Sequence, residues 1–350
     1  MRNKRNWLKV LLVAILICII IYTFRGSWKS ILQQITHTAP LILVIIGEAT
    51  IVYHLFEAWI TYSLARLYCP KFRYRNAVYN AFNCSFYRLS TLGGGAGVAA
   101  IVYLGRHGLS YAEATGLYAL QYIIHKISIA VFSGVFFLAN LGIMTAYYRN
   151  YAVYLILAYL LTAGICLVCI LLVIYPRFHR LILALAQKLN RSHKHDGAIK
   201  KLEDNMGILE VSSAKILKNG RILVICVLKN MAKLCAWYSI PFLILFQTGE
   251  ISFLSSLSIT SLSVMTAGVI PTPAGIGSTE LIMTGLFSVM TGKEKAAAIT
   301  LLYRIATFIL PFLIGAVCIL VNRIVKWRQG FGYKKYEPGA GNEIKKTGNI

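Results

Sequence analysis

Long apolar runs alternate with short polar stretches along almost the whole chain. A helix needs about 20 mostly apolar residues to cross a membrane. Six runs approach or exceed that length, near residues 8–24, 40–64, 114–140, 151–175, 221–247 and 296–321. The pattern therefore predicts an all-α polytopic membrane protein with about six full crossings.

Two further apolar stretches, near 78–105 and 252–291, are interrupted at their centres by glycines. We interpret each as a re-entrant helical hairpin that enters and leaves by the same face of the membrane. Each stretch is also compatible with a pair of short crossings, and both interpretations give the same sidedness for the remaining loops.

The second interruption, residues 268–277, has a composition that breaks a helix. Pro271 and Pro273 remove two backbone donors and end the preceding helix. Gly275 and Gly277 allow the chain to reverse or to approach a ligand closely. Non-helical backbone at membrane depth is tolerated only where it is buried in protein or lines a polar cavity. The break therefore predicts a binding site.

A new helix is expected directly after this break. Ser278 or Thr279 is a suitable N-cap residue, and Glu280 then lies in the first turn, where a negative charge is favourable. We include all three residues in the predicted site.

The two interrupted stretches resemble each other. Gly95 and Gly97 match Gly275 and Gly277, and the segment that ends at Gln121 runs parallel to the one that ends at Arg304. The half repeats cover about 40–140 and 221–321 and are inverted, because one hairpin enters from the cytoplasm and the other from outside. Such repeats place a site near the midplane of the membrane.

Composition and charge agree with this class. The chain is 57% hydrophobic and 14% charged, yet its net charge is +24. So apolar a chain excludes an ordinary soluble domain. The excess of Lys and Arg indicates cytoplasmic loops and contact with anionic lipid. It does not indicate direct binding of nucleic acid. The distribution of Lys and Arg places both termini in the cytoplasm.

The domain organisation follows from the same pattern. Residues 1–325 form one transmembrane domain, and 326–350 form a basic, disordered cytoplasmic tail. The polar connector 177–220 predicts two short amphipathic helices separated by 191–197. This connector is either a solvated surface segment or a docking surface for a separate enzyme.

Charged residues within or near apolar segments are the first candidates for a functional site, because an uncompensated charge at the bilayer centre costs roughly 2.5–3.5 kcal/mol. Arg304 and Glu280 either stabilise the helix break as a pair or bind a lipid phosphate and a cationic head group. Arg88 either binds phosphate with Arg304 or extends to the membrane interface. Lys126 belongs to the same class of residues.

Glu48, His54 and Glu57 lie on one predicted crossing. His54 and Glu57 are about one helical turn apart, which permits a hydrogen-bonded pair. These three residues either form a proton relay or a packing network. His125 either lies with Lys126 on a cavity wall or is a satisfied buried histidine. Gln121 is included among the predicted substrate-binding residues.

Motifs for enzymatic chemistry are missing from the sequence. It has no nucleotide-binding glycine loop, no cluster of metal ligands and no serine nucleophile with its base. The eight cysteines lie mostly in apolar segments, and we interpret them as ordinary buried thiols. We expect no cofactor and no metal.

Two motifs carry a resemblance to a known family. One is Pro271–Glu280, followed by Leu301-Leu-Tyr-Arg304 and Pro311; the other is Thr91–Gly97, followed by Tyr103–Arg106 and Gly108–Ser110. Over about residues 5–325 the chain resembles the membrane region of lysylphosphatidylglycerol synthase, the multiple peptide resistance factor. Ala274 and Ser278-Thr279 depart from the pattern we expect for that family.

The resemblance implies a bacterial plasma membrane protein that moves aminoacylated phosphatidylglycerol to the outer leaflet and confers resistance to cationic antimicrobial peptides. In that family a soluble domain transfers lysine from its tRNA to the lipid, and this chain has no room for one. We therefore expect phospholipid as the substrate and a separate lysyl-tRNA-dependent synthase as a partner.

Three functions remain open from the sequence. The first is a lipid translocase, or flippase, for an anionic or aminoacylated phospholipid. The second is the membrane subunit of a phosphatidylglycerol lysyltransferase that acts with a separate catalytic protein. The third is a carrier of another lipid, such as a polyprenyl-phosphate sugar.

Overall fold

A computed structural model describes residues 36, 39–190, 196–246 and 249–328. Every regular element within these ranges is helical. The first predicted crossing, 8–24, lies outside the described residues, as does most of the predicted tail. Residues 326–328 belong to the last helix.

The first half of the described chain contains six α-helices and a short 3₁₀ turn at Arg149–Tyr151. The helices are α1 (Pro40–Ala65), α2 (Tyr74–Ser90), α3 (Gly95–Gly105), α4 (Tyr111–Ala139), α5 (Leu141–Tyr147) and α6 (Ala152–Ile174). The connector then forms two helices, α7 (Pro176–Leu189) and α8 (Asp196–Leu217). Helix α8 contacts α4, α6 and α9.

The second half contains six α-helices, a 3₁₀ turn at Pro273–Gly275 and a π-helical turn at Ile305–Ile309. The helices are α9 (Gly220–Tyr238), α10 (Ile240–Leu245), α11 (Phe253–Ala267), α12 (Ser278–Thr291), α13 (Lys293–Arg304) and α14 (Leu310–Arg328).

Five helical stretches are long and apolar enough to cross a membrane. They are Pro40–Ala65, Tyr111–Ala139, Arg149–Leu171, Gly220–Leu245 and Lys293–Val325. These stretches coincide with five of the six predicted crossings. The hydrophobic pattern thus located each long helix in the part of the chain that the structure describes.

The two interrupted stretches form helical pairs, α2 with α3 and α11 with α12, whose members contact each other. We call α2–α3 the first hairpin and α11–α12 the second hairpin. The first tip is Thr91–Gly94, where Leu92 and Gly93 have φ of 52° and 104°. The second tip is longer, Gly268–Gly277.

The N-cap of α12 differs from the prediction. Helix α12 begins at Ser278, and its N-cap is Gly277, so a cap at Ser278 or Thr279 was wrong. Gly277 has φ of 85°, a conformation that favours glycine. Glu280 lies in the first turn as predicted, and its Oε2 accepts a hydrogen bond of 2.7 Å from the Gly277 N–H. The carboxylate therefore stabilises the start of the helix in place of a hydroxyl cap.

The two hairpin tips touch each other. A Cβ added at Gly93 would lie 3.2 Å from the backbone nitrogen of Ala274 and 3.5 Å from its Cα. Ala274 itself has φ of 54°. The contact therefore joins two tight turns from opposite halves of the chain.

The halves also exchange contacts through their helices. Helix α2 of the first half packs on α14, helix α11 of the second half packs on α4, and α1 packs on α9. At Gly315 in α14, an added Cβ would overlap the carbonyl oxygen of Phe82 in α2. The first hairpin is therefore held by the second half, and the second hairpin by the first half.

Candidate functional site

A polar cavity lies between α1, α2, α4 and α9, with about 80 Å³ of space open to the centre of a water molecule. Each helix contributes side chains to its wall. They are Tyr53, His54, Glu57 and Thr61 from α1; Asn80, Ala81, Cys84, Ser85 and Arg88 from α2; Tyr118, Gln121, Tyr122 and His125 from α4; and Lys233 from α9.

An ion pair between a buried lysine and a half-buried glutamate forms one side of this cavity. Lys233 is only 2% exposed, and its Nζ lies 2.6 Å from Oε2 of Glu57. The other carboxylate oxygen of Glu57 accepts a hydrogen bond of 2.7 Å from Gln121 Nε2. Thr61 donates to the Gln121 carbonyl oxygen over 3.2 Å. Each oxygen of Glu57 therefore already accepts one contact from the protein.

Lys233 has two more neighbours in the cavity. Its Nζ lies 3.2 Å from His125 Nδ1 and 5.1 Å from the centre of the Tyr53 ring. Because an ammonium group only donates, His125 Nδ1 acts as the acceptor, and this assigns the imidazole proton to Nε2. The lysine is thus held by a carboxylate, an imidazole and an aromatic face.

Arg88 presents a different situation. It lies on the cavity wall, is exposed, and has no hydrogen bond or ion pair from its guanidinium to any residue that the structure describes. Its backbone carbonyl accepts the N–H of Gly93 over 2.7 Å, which places it directly before the first hairpin tip. A guanidinium has five donors in a planar fork that fits phosphate oxygens. Arg88 is therefore available to an anion in the cavity.

The structure does not bring Glu48, His54 and Glu57 into one chain of hydrogen bonds. His54 Nδ1 lies 2.8 Å from the Thr50 carbonyl oxygen and its Nε2 lies 2.9 Å from Ser85 Oγ. Glu48 is exposed and has no partner among the described residues. His54 and Glu57 share the cavity wall, so a proton relay through them stays a prediction.

Arg304 and Glu280 form a second polar cluster, which we call the tip pair. Arg304 Nε donates to Glu280 Oε1 over 2.7 Å, and the two side chains are 8% and 20% exposed. The guanidinium lies 4.3 Å from the centre of the Phe308 ring. Arg304 Nη2 is buried and has no hydrogen-bond partner among the described residues. Neither residue of the tip pair belongs to the cavity wall.

Several predicted site residues shape the hairpin tips. Gly95 N–H donates to Thr91 Oγ1 over 2.6 Å. A Cβ at Gly97 would lie 2.8 Å from the Tyr118 ring, and Gly275 has φ of 72°. Ser278 Oγ is 2.7 Å from Thr272 Oγ1. Thr279 is buried, with its Oγ1 3.1 Å from a Cβ placed on Gly275.

Lys233 was not identified from the sequence, although it completes the cavity. A signal was present, because Lys229 and Lys233 lie one helical turn apart within the predicted crossing 221–247. Of the predicted residues, the structure brings together at the cavity Glu57, His54, Arg88, Gln121 and His125. Arg304 and Glu280 lie apart from them.

Two comparisons with known proteins place the chain. The family described as the lysylphosphatidylglycerol synthase TM region matches residues 6–315. The UPF0104 membrane protein PH1989 of Pyrococcus horikoshii is 38% identical over 84 residues, which is 23% of this chain and 25% of that protein. The matched segment thus spans a quarter of that relative. With five long apolar helices in its described part, the chain is a multi-pass membrane protein, and it belongs to the lysylphosphatidylglycerol synthase TM-region family.

Proposed function

We propose that the chain moves a phospholipid head group from the inner to the outer leaflet of a bacterial cell membrane. We propose as candidate substrates anionic phosphatidylglycerol and its lysyl ester, because the family is described as the lysylphosphatidylglycerol synthase TM region. The observation that carries the proposal is Arg88, a cation on the wall of a polar cavity with no protein partner among the described residues. A charge inside a membrane protein usually pairs or marks a substrate path.

The phosphate binds at Arg88 while the acyl chains stay in the bilayer. The polar wall formed by Gln121, His54 and Asn80 replaces part of the water that the head group leaves behind. Such replacement is needed because an unpaired polar group in hydrocarbon costs several kcal/mol. The cavity thereby lowers the barrier for a charged group to cross.

The hairpins supply the moving parts of this proposal. Both are re-entrant, and the contact between Gly93 and Ala274 closes the path between the leaflets. The reciprocal contacts of α2 with α14 and of α11 with α4 support an inverted repeat. Rocking of the two halves then opens the cavity to one leaflet at a time.

The lysine-transfer step belongs to a separate synthase in this proposal. The cavity residues bind and orient a head group. Where the transported lipid is lysylated, its arrival makes the outer leaflet less negative and weakens the binding of cationic antimicrobial peptides. Lipid mass spectrometry with outer-leaflet labelling, in cells with and without the chain, reports which lipid changes sides.

A reconstituted assay tests the proposal directly. Proteoliposomes carry a short-chain fluorescent phosphatidylglycerol, and dithionite quenches the label only in the outer leaflet. The purified chain should accelerate loss of the inner-leaflet signal. Arg88→Gln should slow this movement roughly tenfold, because one charge-assisted contact to phosphate is lost.

Lys229→Gln is the matched control. Lys229 donates to Ser63 Oγ over 2.7 Å and lies 4.1 Å from the centre of the Trp59 ring, away from the cavity wall. Its variant should keep the wild-type rate. Equal rates for wild type and Arg88→Gln would remove Arg88 from the path.

A further inference from the structure

We infer that the cavity accepts an anionic lipid phosphate whose head group carries no ammonium and discriminates against an aminoacylated head group. This inference rests on the proposed function and narrows its substrate class. Phosphatidylglycerol and polyprenyl phosphates have the favoured chemistry, whereas the lysyl ester of phosphatidylglycerol does not.

The first argument is the balance of charge on the cavity wall. Among the lining residues, Arg88 and Lys233 are cations and Glu57 is the sole carboxylate. With the histidines neutral, the wall carries a net positive charge. An anion is attracted to such a site, and a second cation is repelled.

The second argument is that both oxygens of Glu57 already accept a contact from the protein. Its Oε2 is held by Lys233 at 2.6 Å and its Oε1 by Gln121 at 2.7 Å. A lysyl ammonium that joined Lys233 at this carboxylate would be repelled by it, and one that replaced Lys233 would have to displace a side chain that is 2% exposed. That displacement would leave a lysine charge buried without its partner, which is strongly unfavourable.

The aromatic faces lead to the same conclusion. An ammonium can also bind over a tyrosine ring. Lys233 already lies 5.1 Å from the centre of the Tyr53 ring, and Lys126 lies 5.6 Å from that of Tyr122. Two of the three tyrosines on the wall therefore already face a lysine of the chain itself.

Other carboxylates among the described residues do not supply an ammonium acceptor on the cavity wall. Glu280 is paired with Arg304, Glu250 with Lys295, and Glu113 caps α4 through Ser110. Glu48 is exposed on α1 and is not part of the wall. Within the described residues, Glu57 is the one carboxylate that lines the wall.

Lys233 acts in this scheme as a positioning residue. By holding Glu57, it prevents that carboxylate from pairing with Arg88, and Arg88 stays available to phosphate. Removal of the lysine would free one carboxylate oxygen. It would create a competitor for Arg88 and, at the same time, an acceptor for an ammonium.

Competition in proteoliposomes tests the inference. The probe is the fluorescent phosphatidylglycerol, and the competitors are unlabelled phosphatidylglycerol, lysylphosphatidylglycerol and a polyprenyl phosphate. We expect the two lipids without an amine to slow the movement of the probe at roughly tenfold lower concentration than the lysyl lipid does. A tenfold difference corresponds to the free energy of one charged contact. Equal or stronger competition by the lysyl lipid would overturn the inference and leave the proposed function standing. No movement of any probe would overturn the proposed function itself.

Variants separate the positioning role of Lys233 from a purely structural one. Lys233→Met should reduce the preference for phosphatidylglycerol over its lysyl ester roughly tenfold, whereas Lys229→Met, one turn away, should keep it. A loss of all movement in a folded Lys233→Met protein, or an unchanged preference, would contradict the role.

Glu57→Gln provides a second test that keeps the shape of the side chain. Because the loss of charge leaves Lys233 without its partner, we expect slower movement of phosphatidylglycerol and of its lysyl ester by the same factor, with an unchanged preference between them. If Glu57→Gln selectively abolished movement of a fluorescent lysylphosphatidylglycerol, the carboxylate would be an ammonium ligand and the inference would be wrong.

Discussion

The guanidinium of Arg304 donates one hydrogen bond to the protein through Nε, whereas its Nη2 has no partner among the described residues. Nε holds Glu280 at 2.7 Å, whereas Nη2 is buried without a partner among the described residues. The pairing agrees with a structural role at the helix break, and the free Nη2 agrees with phosphate binding. The two roles predicted from the sequence are therefore compatible in one side chain.

Arg304→Lys tests the binding role with little damage to the fold. The ammonium can still pair with Glu280, but it cannot offer the planar fork that binds phosphate through two hydrogen bonds. We expect an unchanged melting temperature and roughly tenfold slower lipid movement in the dithionite assay. Wild-type movement in Arg304→Lys would limit Arg304 to the structural role.

The cavity shows which part of a site a sequence reveals. Glu57 and Arg88 were identified because charges are rare in apolar segments. Which of the two charges has an ion-pair partner was not predictable. Glu57 pairs with Lys233, which lies 176 positions away in the sequence, whereas Arg88 pairs with no carboxylate among the described residues. Pairing depends on helix packing, and residue type and spacing do not specify it.

The hairpin tips are the least regular elements of the described chain. Pro271, Pro273 and the glycines predicted the break of the second hairpin, because these residues interrupt helical hydrogen bonding. The cap at Gly277 was missed because a glycine with positive φ and a carboxylate three residues later satisfy the backbone as well as a hydroxyl does. The contact between the tips left no local signal in the sequence.

Gly93→Ala tests the contact between the tips. The added methyl group would be strained at φ of 104° and would approach Ala274 N to 3.2 Å. We expect a loss of about 2 kcal/mol in the free energy of unfolding. Gly94→Ala is the matched control, because Gly94 has φ of −72° and the nearest atom to its added Cβ lies 3.9 Å away. Equal stability of the two variants, measured by unfolding in detergent, would contradict this account of the tip.

At the scale of the whole molecule, the first hairpin packs on α14 of the second half, and the second hairpin packs on α4 of the first half. The sequence predicted the repeat from the paired glycines and the order of elements. It did not predict these exchanged contacts, because they depend on how the halves face each other. The orientation in the membrane stays a prediction from the distribution of Lys and Arg.

Gly315→Ala tests the joint between the halves. Its Cβ would overlap the Phe82 carbonyl oxygen and force α14 away from α2. Such overpacking should cost about 1–3 kcal/mol in the free energy of unfolding and slow lipid movement. Gly285→Ala is the control, because a Cβ there meets no atom within 4 Å. A fully stable Gly315→Ala protein would show that the two helices separate without cost.

In the proposed cycle, the unequal lengths of the two tips bear on the rates of transport. The tips meet at Gly93 and Ala274, and a short turn at 91–94 and a longer one at 268–277 would move away from that contact at different rates. When no gradient is coupled to the cycle, detailed balance holds. A difference in opening rate then changes the rate of forward crossing and the rate of reverse crossing by the same factor. The asymmetry therefore decides which opening is rate-limiting, and net flow follows only from the lipid concentrations on the two sides.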